Sequence, residues 1–80
     1  MTKIDKLIRQ LLNHPSALRY EEIEKILSHF GFEKIEAKGS HKKFKNPLLH
    51  HDLIIPVHNK DCKDFYKKLA ANTIKKIQKS

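Results

Sequence analysis

Gly39-Ser40-His41-Lys42-Lys43-Phe44, with Ile55-Pro56-Val57-His58 downstream, is the stretch from which this chain is read. Gly39-Ser40 predicts a tight turn. From His41 to Asn46 the residues alternate: Phe44 takes one face, and His41, Lys43 and Lys45 take the other. That period of two predicts a strand with one buried and one wet face. Before the turn, Glu33 to Lys38 predicts a partner strand, with Ile35 and Ala37 on one face and charge on the other. Asn46-Pro47 breaks the second strand, and Asp52 to Val57, rich in Leu53, Ile54, Ile55 and Val57, predicts a third.

Helical spacing lies on both sides of these strands. Ile23, Ile26, Leu27 and Phe30 share one face of a helix expected from Tyr20 to Phe30, and Gly31 stands at C′, where a left-handed residue is needed. Ser16 to Arg19 connect it to an earlier helix, where Ile4, Leu7, Ile8, Leu11 and Leu12 follow Thr2 as N-cap and Asn13-His14-Pro15 ends the segment. The last helix is expected to begin with Asp61 as N-cap. Its apolar stripe runs through Phe65, Tyr66, Leu69, Ala70, Thr73, Ile74 and Ile77. Phe30, Phe32 and Phe65 read as core, while Tyr20 and Tyr66 read as amphipathic residues able to reach the surface. The order is α-β-β-β-α plus an N-terminal helix. The simplest packing is an α+β domain: a three-stranded antiparallel sheet with two helices on one face, the other face open and carrying His41, Lys43 and Lys45.

Eighty residues make one domain with a small core. No apolar run approaches the roughly 20 residues that span a bilayer, and the N-terminus lacks a signal-peptide apolar region, so a soluble cytoplasmic protein is expected. A single cysteine, Cys62, agrees with a reducing compartment. The net charge of +8 is uneven. Residues 1–33 carry five Lys/Arg against five acids, and residues 34–80 carry twelve lysines against Glu36, Asp52, Asp61 and Asp64. A chain basic in one half points to a polyanion on that half: nucleic acid, or an acidic protein.

Histidine is the side chain whose ordinary titration lies near neutral pH. RNA carries its own nucleophile, the 2′-hydroxyl, so cleavage needs a base, a cation for the phosphorane charge and an acid for the leaving oxygen. His41 fits the base. Lys42 and Lys43 beside it, with Lys45 further along the strand and Lys38 across the turn, fit phosphate. The N–H groups of Gly39 and Ser40 fit a small anion nest. His58, at the end of the third strand, is the candidate second acid/base, or else a residue that closes the following turn. A zinc site from His50, His51, His58 and Cys62 lacks any paired-ligand motif, and no metal or cofactor is expected. Ser40 has no triad partner in sequence. His14 and His29 fall at helix ends, where an imidazolium suits the helix dipole.

The Phe30-Gly31-Phe32 helix end, Lys38-Gly39-Ser40-His41-x-x-Phe44, Ile55-Pro56-Val57-His58-Asn59 and a basic C-terminal helix together resemble the HicA toxin family. The likeness covers residues 18 to 78, the core of a single domain spanning 1–80. Residues 2–13 form an additional N-terminal helix that compact family members lack. The resemblance implies a double-stranded-RNA-binding-domain-like fold and a metal-independent mRNA interferase of a type II toxin–antitoxin module. It also implies a catalytic histidine at His41 and a HicB-like antitoxin that covers it. The alternative from another class is a noncatalytic double-stranded-RNA-binding module on the same basic surface. In that picture Lys60, Lys63, Lys67 and Lys68, near the start of the last helix, contact phosphate. A purely protein-binding partner for an acidic regulator is the third reading.

Overall fold

A computed structural model describes residues 2–36 and 39–79. It has three helices and three strands: α1 Lys3–Asn13, α2 Tyr20–His29, β1 Glu33–Glu36, β2 His41–Lys45, β3 Leu53–Pro56 and α3 Asp64–Gln78. One 3₁₀ turn, Pro15–Ala17, joins α1 to α2. The strands are antiparallel in the order β1-β2-β3, an α+β layout like that of a double-stranded-RNA-binding domain with an extra N-terminal helix. Among the described residues no helix is long and apolar enough to cross a membrane.

Local chemistry sets the helix ends. Thr2 and Asp5 form a reciprocal capping box: Asp5 N–H donates to Thr2 Oγ1 (3.3 Å), and Thr2 N–H donates to the Asp5 carboxylate (3.2 Å). Gly31, at φ +86°, ends α2 in a Schellman motif. Phe32 N–H donates to Leu27 C=O and Gly31 N–H to Ser28 C=O, both at 3.1 Å. The buried Phe32 and Leu27 supply the apolar contact that accompanies this motif.

One core joins the three helices to β2 and β3. Ile23, Ile26 and Leu27 of α2, Ala70, Ile74 and Ile77 of α3, and Phe44, Leu53 and Ile55 of the sheet are buried together. Leu11 of α1 is wholly buried in the same cluster, and Ile4, Leu7, Ile8 and Leu12 pack against it. The N-terminal helix is therefore part of the core, with contacts to α2, the 3₁₀ turn and α3.

Three expectations need correction. Asp61 does not cap α3: Lys63 is the N-cap, in extended conformation and with no side-chain hydrogen bond. The Asp61 carboxylate is already engaged, accepting from Tyr20 N–H (3.0 Å) and Cys62 N–H (2.8 Å) and pairing with Lys67 (3.4 Å). It thus caps α2. Phe65 is 67% exposed and stands edge-on to Tyr66, the residue at which the apolar stripe of α3 first packs on the core. Tyr20, expected to reach the surface, is 6% exposed, its hydroxyl donating to Glu24 at 2.6 Å. Burial, then that hydrogen bond and the Glu24 charge, push its phenol well above the ordinary range.

Candidate active site

The register fixes what shares the open face of the sheet. Ile35 lies opposite Lys43, and Lys43 opposite Ile54; Glu33 lies opposite Lys45, and His41 opposite Pro56. The open face therefore carries Glu33 and Ile35 from β1, His41, Lys43 and Lys45 from β2, and Ile54 and Pro56 from β3. Ile35, expected to stand apart from charge, flanks Lys43 instead. The inner face takes Phe44, Leu53 and Ile55 as core. Its β1 positions go to Lys34 and Glu36, which pair with Glu24 (3.3 Å) and Lys42 (3.0 Å).

This parity separates the candidate lysines. Lys43 and Lys45 share the face of His41, and Lys43 lies 3.9 Å from Asp52. Lys42 belongs to the inner face and is bonded to Glu36, whose carboxyl is held below its ordinary range by that hydrogen bond and by the Lys42 and Lys34 charges. Lys38, another candidate phosphate contact, lies outside the described residues.

His41 is exposed at the first position of β2. Directly before it, Gly39 adopts φ +67° and Ser40 completes the turn. Ser40 C=O accepts from Val57 N–H at 2.8 Å, fastening the turn to the exit of β3. Two residues on, His58 and Asp61 exchange backbone hydrogen bonds (2.8 and 3.0 Å) around Asn59 and Lys60, whose φ values are +53° and +64°. Two successive left-handed residues make the mirror-image turn that suits a tight hairpin. Asn59 accepts this conformation readily, whereas for Lys60 it costs about 1 kcal/mol. His41, the Gly39-Ser40 turn, His58 and Lys60 thus stand at one end of the sheet, with the N-terminus of α3.

Sequence reading missed the support beneath this end. Asp61 ties the hairpin to α2 and to Lys67, which is 6% exposed. Burial raises the Asp61 carboxyl, but the N–H groups of Cys62 and Tyr20, then Lys67, outweigh it, and the net shift is downward. Nothing in the local sequence marks a bond across 41 residues. Half-burial pushes the Cys62 thiol above its ordinary value, Lys67 opposing only in part. Among the described residues no three His, Cys, Asp or Glu side chains gather as metal ligands.

A small antiparallel sheet with helices on one face, and a basic open face bearing an exposed histidine, places the chain among α+β domains of the double-stranded-RNA-binding layout. The family model for the HicA toxin of bacterial toxin–antitoxin systems matches residues 20–79, and the chain belongs to that family. The match begins at α2, leaving α1 outside it. No curated protein and no solved structure matches the chain.

Proposed function

We propose that this toxin is a metal-independent endoribonuclease acting on mRNA, with His41 as its general base. The observation that carries the reading is the exposed His41 on one strand face with Lys43 and Lys45, in a chain of the HicA family. His41 accepts the proton of a 2′-hydroxyl while that oxygen bonds to the adjacent phosphorus. The phosphorus–O5′ bond breaks, and the leaving oxygen takes a proton from His58, the candidate acid at the same end of the sheet. Lys43 and Lys45 act as point charges on the phosphate oxygens, and the Gly39 and Ser40 N–H groups and Lys60 hold flanking phosphate. The products are a 2′,3′-cyclic phosphate and a 5′-hydroxyl. The work is done in the cytoplasm, and a HicB-like antitoxin restrains it by covering the basic face.

The noncatalytic double-stranded-RNA-binding alternative draws on Lys67 near the start of α3. Lys67 is buried and paired with Asp61, which removes one of its phosphate contacts. The test is cleavage of a defined mRNA in the presence of a chelator by wild type and His41→Ala. Cleavage that survives the chelator and falls about 10²–10⁴-fold in the variant supports the reading. Equal cleavage by both proteins, or RNA binding with no cleavage by either, overturns it.

A further inference from the structure

We propose that the outer edge of β3 is a docking site for an extended, acidic segment of the antitoxin, which adds a fourth strand to the sheet. The inference rests on the reading above only in taking the antitoxin as the partner.

β3 is an edge strand. Val57 N–H bonds to Ser40 C=O, and Leu53 and Ile55 share the parity of Val57, so these residues direct their backbone groups toward β2. Ile54, between them, turns its N–H and C=O outward, and Pro56 turns out a C=O alone. Beside this edge lies a cleft of about 310 Å³, walled by Leu48 and Leu49 from the loop and by Leu69 and Thr73 from α3. Asn46 holds the loop in place: its side chain donates to Phe30 C=O (3.1 Å) and accepts from Leu48 N–H (2.9 Å). Leu48 and Ile54 are 57% and 44% exposed, so two large apolar side chains flank the edge in water.

A strand laid here would send alternate side chains to opposite faces. Those on the helix side enter the cleft and must be apolar. Those on the other side meet the open face beside Ile54, near Lys43 and Lys45, and an acidic residue suits them. Lys76 on the cleft wall adds positive charge, and the Asp52 carboxylate on the same wall lies 3.9 Å from Lys43. The opposite edge, β1, carries Glu33 and Glu36 against the single cation Lys34, an acidic excess that disfavours an acidic strand. Main-chain bonds at Ile54 supply affinity, and the alternation of apolar and acidic side chains supplies specificity.

The test uses a synthetic nine-residue peptide of alternating valine and glutamate, followed through the backbone amides of the full chain by NMR. Two control peptides are a scramble and a copy N-methylated at alternate amides. Expected are a shifted and exchange-protected Ile54 amide, and at least tenfold weaker binding of both controls. Leu48→Lys, an exposed position, and Ile54→Pro, which removes an outward N–H, should each weaken binding at least tenfold; if Ile54→Pro unfolds, Leu48→Lys decides. Equal binding by wild type and Leu48→Lys, no peptide binding, or Ile54 protection by single-stranded RNA instead of the peptide would overturn the proposal. RNA cleavage by the wild type is measured alongside: peptide binding without cleavage removes the ribonuclease reading and leaves the docking edge standing.

Discussion

The carboxylate of Asp61 accepts the N–H of Tyr20 at 3.0 Å, so a residue just before the last helix closes the start of one 41 positions earlier. The same carboxylate faces Lys67, a buried cation. The hairpin beside His41 is thereby anchored to two helices at once.

Removing that anchor is expected to be costly. Asp61→Ala should destabilise the chain by about 2–3 kcal/mol, since it strands two N–H groups and a buried ammonium. Asp61→Asn keeps an acceptor and should lose less. Urea unfolding midpoints measure both.

The pH dependence has a definite sign. The Asp61 carboxyl titrates below its ordinary 3.8 when folded, so its contribution is fully present above that value. It is lost as pH falls through the lower folded value. Wild type should therefore lose stability below about pH 4 more steeply than Asp61→Asn, as read from urea midpoints at pH 6 and pH 3.

Parity along β2 predicts unequal lysines. Lys43→Ala should weaken RNA binding and lower the salt-dependence slope by about one. Lys42→Ala, on the inner face beside Glu36, should leave that slope unchanged. Titrations at several salt concentrations compare the two; equal slopes would remove the open face as the binding surface.

Lys60 should show stability and function moving in opposite directions. Lys60→Gly relieves a left-handed side-chain position and should stabilise the fold by about 1 kcal/mol. The same change removes a cation at the His41 end of the sheet and should weaken RNA binding. A purely structural turn residue would move stability alone.

α1 lies outside the family match yet buries Leu11 completely. We expect 1–80 to fold as a single unit. Leu11→Ala should cost about 2–5 kcal/mol, and deletion of residues 2–14 should abolish cooperative unfolding, as followed by circular dichroism.

Much of this fold is legible from residue spacing. Thr2, Gly31 and the Gly39-Ser40 turn each signal an element boundary through local backbone chemistry, and the alternation around Phe44 separates the faces of β2. Failures fall where a distant group competes for a side chain. Asp61 has the composition of a local cap, but the Tyr20 N–H and the Lys67 ammonium hold its carboxylate. Lys42 and Lys43 are alike in sequence and differ only in the face that pairing gives them. Ile54 beside Ile55 tells that each face of β3 receives an apolar residue, not which one water sees. The placement of His41 on the open face followed from period two, and its partner across the sheet, Pro56, required the register.

His41 stands in solvent at the strand's first residue, on a face that none of the described helices covers. A ribonuclease of the kind proposed above, so arranged, holds none of its described helices over its base. Its restraint would lie in supply: how many inhibitor molecules the cell holds for each copy, and how quickly they are replaced.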